Sequence, residues 1–328
     1  MRKKIALAVA AAVALTTAAG CGGRQENTNT GQTGQTTGSC EADAGRVGIA
    51  TGNTGGVYYV VGGGLAKLIS DNTKLRAQAS ETGASVTNIQ QLVKGDFDIA
   101  FSLADTAADA VAGRAGFEGP QKVQALARIY PNYTQVVVRA DSGINSVADM
   151  RGKRISTGSP RSGTEVIANR LLQAAGLADK DLAPQRLALR QTVDGMKAGT
   201  IDGLVWSGGL PTPELTDLFT SMGTRVKFID ITPQLDALKK INPVYDKGSI
   251  PAATYKLPAD APTIVVPNVL LVRENFPAGN ACAITKLLFD KRTELEKVHP
   301  ATKDITRENA TRTDPIPLHP GARQALGG

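Results

Sequence analysis

Histidine, cysteine and the aromatic residues are scarce in this chain: it has two histidines, three cysteines, a single tryptophan and an aromatic share of 4%. Each scarcity removes a class of function. His299 stands before Pro300 and His319 between Pro317 and Pro320, and neither belongs to an H-E-x-x-H, C-x-x-C or G-x-S-x-G pattern. No cluster has metal-ligand spacing, so no metal or cofactor is expected and the chain does not read as an enzyme. Few rings leave no row of base-stacking platforms. The formal charge of +7 falls to +4 (7 − 3) without Arg2, Lys3 and Lys4, and the remaining basic residues lie scattered among acidic ones. Nucleic acid is therefore not an expected partner, while mild attraction to an anionic membrane surface or an acidic ligand stays open. Long apolar runs are missing as well, apart from Ile5–Leu15.

That run follows the positive start and precedes the small residues Ala18, Ala19 and Gly20. It is too short to span a bilayer, so residues 1–20 are expected to be a cleaved export signal. Cys21 comes directly after and resembles the acylated cysteine of a bacterial lipobox, with Ala18 where many lipoboxes carry leucine. A lipidated Cys21 would hold an extracytoplasmic protein at the cell membrane; the alternative is a secreted or periplasmic protein cut near Ala19. Residues 21–45 are rich in Gly, Thr, Gln and Asn. With almost nothing to bury, they read as a flexible tether reaching about 25 Å. If Cys21 carries lipid, Cys40 and Cys282 remain as an even pair in an oxidising compartment. A disulfide between them is expected to tie the start of the folded region to a late helix; two unpaired thiols are the alternative.

At 328 residues the chain has room for two domains of ordinary size. From Arg46 onward strand-like and helix-like segments alternate, the pattern of α/β layers with largely parallel sheets. RVGIAT, LRAQAS and DIAFSL read as strands. Val57–Ser70 reads as a helix with Val57, Val61, Leu65, Leu68 and Ile69 on one stripe, and SVTNIQQLVKG as another closing on Gly95. QALARIY and TQVVVRA read as two buried strands, and a last helix is expected over about 281–297. A helix–Gly–x–x–Asp–strand unit occurs twice, as LVKGDFDIAFS (92–102) and MKAGTIDGLVWS (196–207). The repeat suggests one βαβ unit in each of two similar lobes; coincidence is the alternative.

In open α/β sheets, ligands collect at the carboxyl ends of strands, where loops lead into helix N-termini. TGNTGGVYY (51–59), ETGASVTN (81–88) and TGSPRSGTE (157–165) each follow a strand. Each offers glycines, hydroxyls and the free N–H groups of a positive helix end. Divided between two lobes, they suggest a cleft that closes on a small carboxylate; the bland reading makes Ser85 and Thr164 ordinary caps. A phosphate loop fails on spacing, because Gly62-Gly63-Gly64 runs into Leu65 and Lys67 into Leu68. Gly52, Gly55 and Gly56 do not fit G-x-G-x-x-G either. Inside a helix, Gly62 to Gly64 each cost up to about 1 kcal/mol relative to alanine, which suggests that another segment passes close by. Trp206, ahead of Gly208 and Gly209, reads as a cleft wall or as a core ring. Tyr58 and Tyr59 point to different sides of a helix, so one of them is expected to face the ligand.

Taken in order, TGNTGGVYY, GASVTNIQQLVKGDFDIAF, SVADMRGKRISTGSPRSGTE, GTIDGLVWSGGLPTPEL and PIPLHPGA resemble the TAXI family. These are the extracytoplasmic solute-binding subunits of one class of tripartite ATP-independent periplasmic (TRAP) transporters. The likeness runs from about Arg46 to Ala322 and rests on the ordered set rather than on any one motif. It implies a two-lobed α/β periplasmic-binding-protein fold, type II-like with two crossovers, each lobe a mainly parallel sheet flanked by helices. Residues 46–135 and 258–328 would form the first lobe and 136–257 the second. It also implies a receptor for glutamate, glutamine or a related carboxylate, delivering its ligand to membrane permease subunits driven by an ion gradient. A monomer is expected. The family's cleft positions fall on Thr51, Gly55, Tyr58, Ser85 and Asn88 in the first lobe, and on Ser159, Ser162, Gly163, Thr164 and Trp206 in the second. Two positions depart from the family. Leu103-Ala104-Asp105 stands where a polar Gln-Ser often precedes the aspartate, which removes one hydrogen-bonding partner if the site faces the cleft. Arg161 stands in place of a glycine, where it would either pair bidentately with a carboxylate or point to solvent. The alternatives are a ligand-sensing subunit for a membrane kinase, a binding protein for an ATP-driven importer and, least supported, an enzyme on the same scaffold.

Overall fold

A computed structural model describes residues 40–327. The expected export signal, the lipidated Cys21 and the tether as far as residue 39 lie outside the described residues. The first apolar runs form β1 (Gly45–Ala50), β2 (Leu75–Ser80) and β3 (Ile99–Leu103), separated by α1 (Val57–Asn72) and α2 (Ser85–Lys94). α3 (Ala104–Ala112) and a long β4 (Val123–Arg139) lead into a second set: β5 (Arg154–Ser156), α4 (Gly163–Ala174), β6 (Ala183–Gln185), α5 (Leu189–Ala198), β7 (Gly203–Gly208) and α6 (Pro213–Met222). β8 (Val226–Phe228), β9 (Asp246–Ile250) and β10 (Ala261–Arg273) follow, before a mainly helical C-terminal stretch.

The strand order is β2-β1-β3-β10-β4-β7-β5-β6, with β8 on β4 and β9 on β10. β1 runs parallel to β2 and β3, and β5 parallel to β6 and β7, so each half is a βαβ system of its own. β4 and β10 are antiparallel and join the halves: β4 pairs β10 as far as Tyr133 and β7 from Tyr133 onward. The segments QALARIY and TQVVVRA are thus one strand rather than two. Its 17 residues extend roughly 55 Å, long enough to serve both halves. Pro131 lies opposite Pro267 on this ladder, and the register shifts just after Pro267. Neither proline donates an N–H, so the ladder is thinnest where both strands pass from one half to the other. The expected last helix is also divided, into Ala278–Asp290 and Arg292–Val298, and a further helix, Pro320–Leu326, follows it.

The repeated helix–Gly–x–x–Asp–strand unit does the same physical job in both halves. Gly95 and Gly199 close α2 and α5 in the left-handed conformation, with φ of 88° and 75°, which glycine adopts without a Cβ clash. Asp98 then accepts the Gly48 N–H of β1, and Asp202 the Arg154 N–H of β5, both at 2.9 Å. Each carboxylate pins the third strand of its half to the first.

One apolar cluster runs through both halves, joining Ile89 and Ala107 of the first to Ile155 and Ile167 of the second. A disulfide joins Cys40 to Cys282, with Cα atoms 5.1 Å apart. It fastens the segment before β1 to the buried face of the helix Ala278–Asp290.

The glycine run in α1 divides by helical phase. A Cβ on Gly62 would lie 2.4 Å from Thr51 Cγ2, and one on Gly64 would meet the Val298 side chain at 3.0 Å, whereas Gly63 has nothing within 4 Å. Close approach therefore explains Gly62, not the whole run. Thr51 cannot simply turn away, because it is fully buried and its hydroxyl donates to the Ser80 carbonyl at 2.6 Å. Gly62→Ala is expected to destabilise by about 1–3 kcal/mol through overpacking. Gly63→Ala should stabilise by up to about 1 kcal/mol through helix propensity. Urea unfolding of the two variants checks this, and shifts of the same sign would refute it.

Candidate ligand-binding site

The loops after β1, β2 and β5 all leave the carboxyl ends of parallel strands and run into α1, α2 and α4. Together with the end of β7 they line a small cavity of about 30 Å³. The first turn of a helix leaves N–H groups without intrahelical acceptors, and here those groups are gathered around one space. The N–H groups of Val57 and Tyr58 (α1), Ser85 (α2), and Gly163 and Thr164 (α4) have no acceptor among the described residues, and all of these residues line the cavity.

Hydroxyls supplement them. Ser162 caps α4 by accepting the Glu165 N–H at 3.0 Å, and Thr164 Oγ1 accepts the Ser207 N–H at 3.2 Å. Each keeps its own proton for a further acceptor. Ser85 Oγ accepts the Leu103 N–H at 3.1 Å. Tyr58 donates its phenolic proton to Asn268 Oδ1 at 2.5 Å, and Asn268 in turn donates to the Tyr130 carbonyl. Burial pushes the Tyr58 phenol well above its ordinary range, so it stays a neutral donor. Among the described residues, no Lys, Arg, Asp or Glu lines this cavity.

Of the residues expected from sequence, Tyr58, Ser85, Ser162, Gly163, Thr164 and Trp206 line the cavity. Trp206 is both wall and core: it is 9% exposed, its indole N–H donates to Thr212 Oγ1 at 3.3 Å, and its ring lies against Gly56. Tyr59 is the outward tyrosine of its pair, 37% exposed. Thr51 and Asn88 lie one layer deeper. Asn88 Nδ2 donates to the carbonyls of Thr51 at 2.7 Å and Phe101 at 2.8 Å, and its Oδ1 accepts from Thr82. Its capacity goes to tying the loops after β1 and β2 to β3. Gly55 sits outside the cavity beneath the Glu214 side chain of α6. Ser159 donates to Asn53 Oδ1 at 3.0 Å, a contact between the two halves. Arg161 is exposed, has a left-handed backbone with φ of 61°, and is not among the residues lining the cavity. Its carbonyl accepts the Thr87 N–H at 3.2 Å, a second contact between the halves.

Sequence reasoning missed Asn132 and Ser207. Both line the cavity, they are 1% and 8% exposed, and Asn132 Oδ1 and Ser207 Oγ have no hydrogen-bond partner among the described residues. A buried polar oxygen without a partner costs about 1–3 kcal/mol, which a ligand would relieve. The one available signal for Asn132 was a polar residue in the middle of an apolar strand. A larger concavity of about 820 Å³ lies away from these loops, between α6, β8 and the segment 253–262. It holds none of the helix starts.

Two βαβ halves joined by two crossing strands, with a polar cavity at the facing strand ends, define a mixed α/β, two-lobed periplasmic-binding-protein fold of type II. Solved structures share it. A binding-protein component of an ABC phosphonate transporter from Pseudomonas aeruginosa aligns with a TM-score of 0.52 at 14% identity, covering 80% of this chain and 80% of that one. A protein from Bordetella bronchiseptica RB50 aligns with a TM-score of 0.52 at 18% identity over 86% and 82%. A Xanthomonas citri protein bound to ATP gives 0.50 at 14% identity over 86% and 94%. At these identities the likeness is one of fold. The chain itself belongs to the NMT1-like family, which it matches over residues 49–326.

Proposed function

We propose that the chain is an extracytoplasmic solute receptor whose lobes close on a small carboxylate and deliver it to a membrane transporter. The observation that carries this reading is the ring of unpartnered N–H groups at the starts of α1, α2 and α4, around a buried cavity without charged side chains. A carboxylate there accepts hydrogen bonds from the main chain and meets the positive ends of the three helices, each worth about 0.3–1 kcal/mol and up to ~2 where partly buried. The donors belong to both lobes, so an anion touches all of them only when the lobes are closed, and that differential affinity drives closure. We take residues 46–135 with 258–328 as the first lobe and 136–257 as the second. Those boundaries cut β4 between Gln135 and Val136, four residues past Pro131, and cut the chain again just ahead of β10, short of the Pro267 position where β10 itself passes between the halves.

The ordered motifs shared with the TAXI family support a TRAP permease, driven by an ion gradient, as the acceptor of the solute. The likeness to the phosphonate-transporter component supports an ATP-driven importer instead, and the solved structures favour that second reading. Lipidation at Cys21 would keep either receptor at the membrane surface. Solute uptake that survives an ionophore but stops on ATP depletion would decide for the importer; the reverse pattern would decide for the TRAP permease.

Thermal unfolding of the full chain against mono- and dicarboxylates tests the receptor reading. A ligand at 100 times its Kd should add about 2.7 kcal/mol of apparent stability. Thr164→Val should remove most of that shift, since it deletes the acceptor of the Ser207 N–H and a donor to the ligand. A folded protein whose midpoint no carboxylate raises would sink the proposal.

A further inference from the structure

Resting on that reading, we infer that the cleft selects carboxylates without an ammonium group, a short 2-hydroxy or 2-oxo acid in preference to the amino acid of the same skeleton. An ammonium in a closed, low-dielectric site needs a counter-charge or a full set of acceptors. The lining supplies main-chain N–H groups, hydroxyls, the apolar Leu103 and Ala84, and no carboxylate. The acids nearby are already engaged. Asp105 pairs with Arg170 at 2.7 Å, Glu165 with Arg186 at 2.8 Å and Glu214 with Arg190 at 3.1 Å. Glu81 is exposed and accepts the Thr54 N–H at 3.2 Å.

An ammonium would also face the positive ends of α1, α2 and α4, which favour anions and disfavour cations. What remains for the rest of the ligand is neutral: the unpartnered Asn132 Oδ1 and Ser207 Oγ, both buried in the cavity wall. The Asn132 carboxamide offers a donor and an acceptor, and the Ser207 hydroxyl does the same. A ligand hydroxyl satisfies both in one orientation. A keto oxygen is satisfied by their protons in another.

Titration calorimetry on the full chain with matched sets tests this: lactate, pyruvate and alanine, then 2-hydroxyglutarate, 2-oxoglutarate and glutamate. In the set that fits, the hydroxy or oxo acid is expected to bind at least about a hundredfold more tightly than the amino acid. Glutamate or alanine binding as tightly as its partners would overturn this inference and leave the carboxylate reading standing. No binding in either set would overturn both. Asn132→Asp adds the missing counter-charge, and should weaken the hydroxy and oxo acids while raising affinity for the amino acid. An unchanged preference in that variant, with its fold intact, would overturn the assignment of Asn132 to this end of the ligand.

Discussion

Arg170→Met is expected to destabilise the protein by about 3–5 kcal/mol, the usual cost of removing one partner from a buried charge network. Arg170, on α4, is 7% exposed, and its guanidinium bonds Asp105 Oδ2 at 2.7 Å, the Tyr245 hydroxyl at 2.8 Å and Asp109 Oδ2. Asp105 is fully buried; Tyr245 also donates to it, and the Thr106 N–H reaches its other oxygen at 2.7 Å. Without the guanidinium, Asp105 keeps three neutral donors, from the Tyr245 hydroxyl and the Thr106 N–H and hydroxyl, and no counter-charge. Asp109 keeps only Arg114 at 3.3 Å. Methionine fills much of the volume, so the loss would come from charge rather than from a cavity. A urea titration followed by the fluorescence of Trp206 should give a lower midpoint at unchanged slope. The double variant Arg170→Met, Asp105→Asn should recover part of the loss, because the charge left stranded is gone. A change below about 0.5 kcal/mol in the single variant would mean that Asp105 is protonated or reached by water in the native protein. The network joins α3 to α4 and to Tyr245, so an opening motion that leaves it intact costs far less than one that breaks it.

Much of the fold could be read from local sequence because its rules are local. The glycine caps at Gly95 and Gly199, and the aspartates that follow them, mark the turn from helix to strand in both halves. Alternating segments gave the parallel strands, and the loops after those strands contain Tyr58, Ser85, Ser162, Gly163 and Thr164 around the cavity. What could not be read is non-local. Asn132 sits in the middle of a strand and enters the site only because β4 runs from one half into the other. The break expected between QALARIY and TQVVVRA falls within one continuous strand, since proline is compatible with extended backbone. Asn88 is three residues beyond Ser85, one helical turn, yet it faces the carbonyls beneath the loop instead of the cavity. Arg161 has a left-handed backbone that its residue type does not announce, and it stays exposed outside the cavity lining. The division of the glycine run is legible from helical phase alone. Gly62 lies three and seven residues before the buried Leu65 and Ile69, while Gly63 lies four before the exposed Lys67.

Gly163→Ala should separate ligand binding from folding. A Cβ at Gly163, the first residue of α4, would lie 2.5 Å from Leu103 Cδ1 and 2.6 Å from Ser85 Oγ. Leu103 is 1% exposed and Ser85 is held by the Leu103 N–H, so neither has space to withdraw. These contacts run between the two proposed lobes, and they exist only when the lobes meet. The added methyl would therefore act as a wedge against closure, with an overpacking cost of about 1–3 kcal/mol. That corresponds to a loss of roughly 5- to 150-fold in affinity. With the lobes apart the methyl meets neither side chain, and alanine suits the start of a helix at least as well as glycine. The unfolding midpoint of the ligand-free variant should consequently move by less than about 0.5 kcal/mol. Trimming the opposing side chain with Leu103→Ala in the Gly163→Ala background should restore much of the affinity, a coupling between residues that touch only across the cleft. If Gly163 were instead a packing position inside one rigid body, the variant would lose stability by the same 1–3 kcal/mol, and the ligand would bind the folded fraction as before. Calorimetry and urea unfolding on the one variant distinguish the two outcomes, and the second would remove lobe closure from the mechanism.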